Sequence, residues 1–337
     1  ILAPLSPPPL AVQVLRWFND PDLSMRFVAA AGASLQLLIV VGAIALWRLA
    51  EEAVAIAGRA WIAGGKRGGH GRVTRALSAG LVQGLVVLAS AGLCVLALWS
   101  VTRRWRYPDA WPSALGLETW ARQAPDIAAI TGTTLVTGLV AAAIALALVL
   151  GCLENEQRRG LTLSNRALWL LYTPLLVPQV AFLFGTQVLA IRLGIDATWL
   201  ALVWSHLLFV LPYVFLTLAD PYRALDERYA RTALCLGARP NRVFWQVKLP
   251  MLLRPVLFAL AVGFAVSVTQ YLPTLFAGGG RFVTLTTEAV GLAAGGDRRV
   301  MGVYAFLQAL LPLLAFAAAL ALPKPLALRR KLEAAPA

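Results

Sequence analysis

The fold class this sequence predicts is an all-α, polytopic transmembrane helix bundle of about seven spans. Three observations lead there. Of the 337 residues 59% are hydrophobic and only 14% charged, whereas soluble domains run near 45–50% apolar and about 25% charged. Seven apolar stretches each approach the roughly 20 residues that a helix needs to cross about 30 Å of hydrocarbon. The 30 Lys and Arg residues lie mainly between those stretches. A formal net charge of +14 in a soluble protein would point to nucleic acid. Placed between apolar spans, the same charge controls topology, and nucleic-acid binding is not expected.

In chain order the spans run near Phe27–Trp47, Ala76–Trp99, Ile127–Leu150, Ala167–Ile191, Trp199–Ala219, Leu252–Phe276 and Val303–Leu322. The first stops at Arg48 and the acidic pair Glu51-Glu52. The second lies between Arg75 and the basic cluster Arg103-Arg104-Trp105-Arg106, and the third between Asp126 and Glu154. The fourth is framed by Arg166 and Arg192 and carries Pro174 and Pro178. The fifth runs from Trp199 to Asp220 with Pro212 inside it. These prolines free backbone carbonyls at mid-span and are expected to bend helices around a passage. The sixth ends at Gly278-Gly279-Gly280, and the seventh lies between Arg298-Arg299 and Lys324.

Orientation follows from the basic residues. Arg48–Arg75, Glu154–Arg166, Asp220–Arg254 and the tail from Lys324 together hold 20 of the 30. That side is expected to face the cytoplasm, with the N-terminus outside and the C-terminus inside. The cluster Arg103-Arg104-Trp105-Arg106 runs against the rule locally. Cys94, Cys152 and Cys235 are far apart, at no metal-ligand or disulfide spacing, and read as small apolar fillers.

A weak internal repeat sits at the two ends of the chain. Leu10–Leu35 lays over Leu285–Leu310 without a gap, so that Asp22 meets Asp297, Val28 meets Val303, Ala30 meets Ala305 and Leu35 meets Leu310. Both stretches are turn-rich approaches to a final outside-to-inside helix. The basic, Gly-rich segment Gly58–Gly71 reads as a cytoplasmic linker.

The loop between the fifth and sixth spans, Asp220–Pro250, carries the most specific pattern. Leu225–Leu236 is expected to form a short helix with Leu225, Tyr229 and Ala233 on one stripe. Gly237 follows, where helices end in a left-handed residue that Gly adopts cheaply. Pro240 suits the first turn of a second helix, in which Val243, Phe244 and Val247 share a face. Arg239 occupies its N-cap, where Ser or Thr would cap better. Leu249-Pro250 closes the segment at the membrane surface.

This loop resembles the signature EAA loop of binding-protein-dependent ABC importer permeases. That pattern is Glu-Ala-Ala, three residues, Gly, nine residues, an aliphatic residue, any residue, then Leu-Pro. Ala233, Gly237, Val247, Leu249 and Pro250 fall at its positions, while Arg231 and Thr232 stand where Glu and the first Ala are usual. Over Ile127–Leu322 the span count and loop placement also resemble the second half of a fused double permease of the iron, thiamine and polyamine-like group. The resemblance implies that residues 1–47 are the tail of a first half. Residues 48–75 would be the linker, 76–323 the transmembrane domain with its coupling loop at 220–250, and 324–337 a cytoplasmic tail. A start at Ile1 with neither an initiator Met nor a signal sequence fits that expectation.

The resemblance further implies a multi-pass permease of the bacterial inner membrane, without cofactor. Its implied partners are a dimeric ATP-hydrolysing subunit, a second permease half or homodimer partner, an extracytoplasmic substrate-binding protein, and lipid. The coupling residues would be Tyr229, Ala233, Gly237, Phe244, Val247, Leu249 and Pro250.

The residues themselves offer no chemical active site. Gly64-Gly65-Lys66-Arg67 lacks the spacing of a phosphate-binding loop and the strand before it, and His70 and His206 make no metal pair. Polar residues within spans are costly and tend to face a cavity or a neighbouring helix. Thr173, Gln179, Gln187, Ser205, His206, Ser267, Thr269 and Gln270 are such residues, and Gln179, His206 and Gln270 are the expected lining of a passage. An ion-coupled carrier and a non-transporting membrane assembly factor are the alternatives; the scarcity of Asp and Glu in the spans weighs against the carrier.

Overall fold

A computed structural model describes residues 8–65, 71–105, 109–161, 163–293, 295 and 297–323. Lys66–His70 of the expected linker, Arg106 of the basic cluster and the tail from Lys324 lie outside the described residues.

The chain is a helical bundle, as composition predicts. A short helix α1 (Leu10–Phe18) leads into α2 (Met25–Ala63), and α3 covers Gly71–Ser100. Thr102–Arg104 and Ala114–Leu115 form a small antiparallel ribbon, β1–β2. Then follow α4 (Glu118–Arg159), α5 (Asn165–Leu176), α6 (Gln179–Arg192) and α7 (Trp199–Arg223). The loop region contains α8 (Glu227–Cys235), α9 (Pro240–Val243), a π-helical turn (Phe244–Lys248) and α10 (Leu249–Met251). α11 (Leu253–Val268), α12 (Leu272–Gly278), α13 (Leu285–Ala293) and α14 (Arg298–Ala321) complete the chain. Among the described residues five helices are long and apolar enough to cross a membrane unaided, or up to seven spans if each of two sharply bent pairs is counted as one.

Two expected spans are not single straight helices. Ala167–Ile191 is divided into α5 and α6, which meet at 102°. The residue before a proline is pushed out of the helical region, and Val177 is extended at φ −77°, ψ 139° ahead of Pro178. Pro174 stays within α5, and Pro212 lies within an unbroken α7. The stretch Leu252–Phe276 is likewise interrupted, since α11 stops at Val268 and α12 restarts at Leu272. The segment expected to begin a linker at Gly58 is still helical, because α2 continues to Ala63.

The core is the packing of α4, α7 and α11. Ala145, Val149 and Leu153 meet Val210, Val214, Leu218 and Tyr222, with Val256 and Ala259 completing the cluster. With lipid as solvent, helices associate through close van der Waals fit, which small residues permit. Gly263 shows how close: a Cβ there would lie 2.7 Å from Val214 Cγ2. A second cluster joins the N-terminal region to this body, with Val14 and Ala33 against Val180, Leu183, Phe209 and Phe276. The outward faces of α2 and α3 expose Leu38, Leu46, Trp47, Leu77, Leu85 and Leu88, as suits helices solvated by lipid. Cys94, Cys152 and Cys235 are unpaired and exposed, so they face outward rather than fill the core.

The internal repeat has a structural counterpart. α1 and α13 occupy aligned positions over nine residues each, and each precedes a long helix. Asp22 Oδ1 accepts from the Ser24 amide at 2.9 Å, and Asp297 Oδ1 accepts from the Arg299 amide at 2.9 Å. The Ser24 amide and the Arg299 guanidinium hold these two carboxyls below the ordinary carboxylate range. Val14 and its aligned partner Ala289 are both buried.

Contacts also sort the loops into two groups. Arg158 reaches Asn241, Arg223 reaches Glu156, and Lys248 reaches Glu154, which gathers the ends of α4 and α7 with the Asp220–Arg254 loop. At the opposite end Arg103 pairs with Glu118, and Arg299 donates to the Arg103 carbonyl at 2.9 Å. These are the groupings that the Lys/Arg distribution predicts. The local exception, Arg103-Arg104, lies in the β1 strand of the ribbon, where Trp105 stacks on Trp99 at 4.6 Å.

Candidate coupling site and passage

The loop after α7 forms a helical hairpin. Asp226 starts α8, its side chain accepting from the Arg228 amide at 2.9 Å, which satisfies one of the unpaired donors of a helix start. Glu227 follows in the first turn and pairs with Arg231 at 2.6 Å. The helix ends at Gly237, whose φ of +83° lies in the left-handed region. There the Gly237 amide donates to the Leu234 carbonyl at 2.9 Å, and the Ala238 amide to the Ala233 carbonyl at 3.1 Å. This is the paired closure that a left-handed glycine permits. Arg239 gives no side-chain cap to α9, and Pro240 stands at its first position.

The first arm of the hairpin has no buried residue. Tyr229, Leu234 and Leu236 are exposed, Ala233 is half-buried, and Leu225 packs on the α4–α7–α11 core. In the second arm Phe244, Val247, Leu249 and Pro250 are half-buried, and Trp245 is exposed beside Phe244 with ring centroids 5.1 Å apart. Regular helical spacing predicts that Val243, Phe244 and Val247 share the inward face. The structure buries Val243 and Lys248 instead. The cause is the π turn, whose bonds run from residue i to i+5 and stack residues five apart.

Lys248 reaches a buried polar cluster that spacing along the chain did not reveal. Its Nζ lies 2.7 Å from Glu154 Oε2 and 2.9 Å from Gln157 Oε1. The Tyr222 hydroxyl donates to the same Glu154 carboxylate. Arg158 Nε lies 2.6 Å from Glu154 Oε1, and its other nitrogens reach Asn241 Oδ1 at 3.0 Å and the Pro240 carbonyl at 3.3 Å. The partners sit 94 residues apart in the chain. The sequence signal was the presence of Glu154 and Lys248 close to apolar runs, which marks no pairing on its own.

The expected passage residues divide. Gln179, the first residue of α6, is exposed and lines a cavity of about 410 Å³ together with Gln36, Val177, Pro178, Tyr213 and Leu272. That cavity lies where α2 approaches the break between α5 and α6. His206 is instead buried in the interior, its Nδ1 2.7 Å from Ser267 Oγ and its Nε2 2.9 Å from Thr274 Oγ1. The Thr274 hydroxyl donates on to the Gln270 carbonyl at 2.9 Å. Gln270 is buried in the same cluster, and its Oε1 has no hydrogen-bond partner among the described residues. The geometry of His206 is that of a hydrogen-bonded tie between α7, α11 and α12. Ser205 adds to it, bonding the Leu202 and Pro273 carbonyls at 2.9 and 3.4 Å. Thr173 and Thr269 bond backward to carbonyls of their own helices.

Comparison with known proteins decides the family. Residues 143–322, from the middle of α4 to the end of α14, match the binding-protein-dependent transport system inner membrane component. The chain belongs to this family. It is a multi-pass inner-membrane protein of the permease type, and the match contains both the α8–α9 hairpin and the α5–α6 break. The chain is 35% identical over 321 residues to the Escherichia coli inner membrane ABC transporter permease protein YnjC, covering 94% of this chain and 56% of that protein. It is 34% identical to the molybdenum transport system permease protein ModB of Mycobacterium tuberculosis, over 46% of this chain and 65% of that one. With the Escherichia coli putrescine transport system permease protein PotI it shares 28% identity over 52% of this chain and 60% of that protein. The chain thus spans a little over half the length of YnjC.

Proposed function

We propose that this permease forms part of the substrate passage of an ATP-binding-cassette importer and receives its energy through the α8–α9 hairpin. The hairpin would dock in a groove of a separate ATP-hydrolysing subunit, with an extracytoplasmic binding protein delivering substrate on the opposite side. The chain then carries out no chemistry of its own. The observation that carries the reading is the shape of the hairpin: an exposed, capped helix turns at a left-handed Gly237 into an arm rooted in the bundle. A short helix with free apolar side chains fills a groove, and the rooted arm makes it a lever.

The repeat supports a two-unit architecture. α1 and α13 align without a gap, and ahead of α2 and α14 the aligned Asp22 and Asp297 each accept from the amide two residues on. We therefore read residues 1–47 as the end of one permease unit and the region from Ala76 to Pro323 as a second, joined by residues 48–75. The contact of α1–α2 with α6, α7 and α12 is then an interface between units, and Gln179 lines the cavity beside it.

The natural thiol Cys235, exposed at the end of α8, gives the test. With Cys94 and Cys152 replaced by Ala, Cys235 is expected to resist a membrane-impermeant maleimide added to intact cells. It is also expected to crosslink to the ATP-hydrolysing subunit through a short bifunctional reagent. Labelling from outside would overturn both the orientation and the docking role.

A further inference from the structure

The second arm of the hairpin is fastened to the bundle by charge in a place where apolar packing would have served. Lys248 and Glu154 are each only 8% exposed. The Glu154 carboxylate, near the end of α4, also accepts from Arg158 one turn on and from the Tyr222 hydroxyl at the end of α7, while Gln157 Oε1 accepts from Lys248. Buried ion pairs contribute little net stability compared with apolar side chains of the same volume, but separating one leaves an uncompensated charge and is strongly unfavourable. Such a pair therefore resists separation and fixes relative position.

The covalent route from the arm into the bundle differs. The arm meets α11 at 77° through Leu252, so a displacement of the hairpin can be absorbed as a change of that angle. α4 has no comparable corner: it continues for 42 residues from the Glu154 end to the opposite face.

Resting on the docking role proposed above, we propose that Lys248 and Glu154, with Tyr222 and Arg158, form a positioning clamp that makes α4 move with the coupling hairpin. ATP-driven displacement of the hairpin then reaches the far face through α4 and does not depend on α11 alone.

Two natural thiols report the two parts separately, Cys235 on the hairpin and Cys152 on α4, and both are exposed. In the assembled complex with its ATP-hydrolysing subunit, each is retained alone and labelled with N-ethylmaleimide, with and without ATP and vanadate. In the wild-type background both labelling rates are expected to change by about threefold or more on trapping. In Lys248→Met/Glu154→Gln, which removes both buried charges and leaves the partly exposed Arg158 to its bonds with Asn241 and the Pro240 carbonyl, Cys235 is expected to respond as before. Cys152 should change by less than about 1.5-fold. Lys248→Arg should restore the Cys152 response, which a loss of packing alone would not predict.

A Cys152 response that persists in the double variant, or is missing from the wild-type complex while Cys235 responds, overturns the clamp. A silent Cys235 in the wild-type complex overturns the docking role, and the clamp falls with it. Should the double variant fail to assemble, Tyr222→Phe removes one hydroxyl and no charge. Its Cys152 response is expected to be at least halved, and an unchanged response overturns the clamp.

Discussion

The two arms of the α8–α9 hairpin are of similar length and opposite character. The first, α8, is held by its own ends: Asp226 at the start, Gly237 at the finish and no buried residue between. The second, from Pro240 to Met251, buries Val243 and Lys248 and is tied to α4 through Glu154, Arg158 and Asn241. The first arm stands free of the bundle and the second is rooted in it. The proposed lever needs both, joined by a turn that keeps its angle.

That division can be broken at the turn, tilted at the docking face, or trimmed at the edges. The largest effect is expected from Gly237→Val. A β-branched residue in the left-handed region costs about 1–2 kcal/mol or more and removes the closure at Leu234 and Ala233. ATP-coupled uptake should fall by about tenfold or more while the protein remains in the membrane fraction. Ala233→Trp should come next, because it places bulk on the half-buried face of α8 without changing the turn. Copurification with the ATP-hydrolysing subunit is expected to drop, with the bundle intact by protease resistance. Asp226→Ala removes a cap worth about 1 kcal/mol and should speed hydrogen exchange across the first turn of α8 while uptake falls only a few-fold. Arg231→Ala is expected to change nothing measurable, since exposed pairs such as Glu227–Arg231 contribute about 0.3–0.5 kcal/mol. A large loss from Arg231→Ala would mean that the arm is recognised by charge rather than by its apolar face.

A sharper contrast concerns the passage. A single cysteine in place of Gln179 should react with a small hydrophilic thiol reagent, whereas one in place of His206 should be protected and should lower expression. Equal reactivity would place both on one water-filled wall, contrary to the burial of His206 between Ser267 and Thr274.

Features written in a few consecutive residues were legible in the sequence. Gly237 and Pro240 announce a turn between two helices because φ constraints act locally. Asp22 and Asp297 could be aligned because each is a single residue ahead of an apolar run. The expected grouping of the loops also followed, since charge between spans is readable by position. What escaped depends on distance or on phase. Lys248 looks like an outward residue when helical period is applied from Val243, and the π turn moves it inward. Glu154 and Lys248 are separated by 94 residues, and nothing in either neighbourhood identifies the other. Composition predicts one helix with bends at its prolines for the fourth span, yet only Pro178 breaks it. Pro174 lies in the last turn of α5, where its effect on the backbone is contained. Polar residues in spans favour cavities, which puts His206 on the expected passage, while its two hydroxyl partners lie 61 and 68 residues away in the chain.

The break at Pro178 has a consequence for how well the protein insulates. At 1.5 Å per residue, the 12 residues of α5 extend about 18 Å and the 14 of α6 about 21 Å, against about 30 Å of hydrocarbon. Because they meet at 102°, their lengths do not add across the bilayer. An unbroken rod would present a full thickness of hydrogen-bonded backbone; neither α5 nor α6 does so alone, whereas α4 and α7 run 42 and 25 residues.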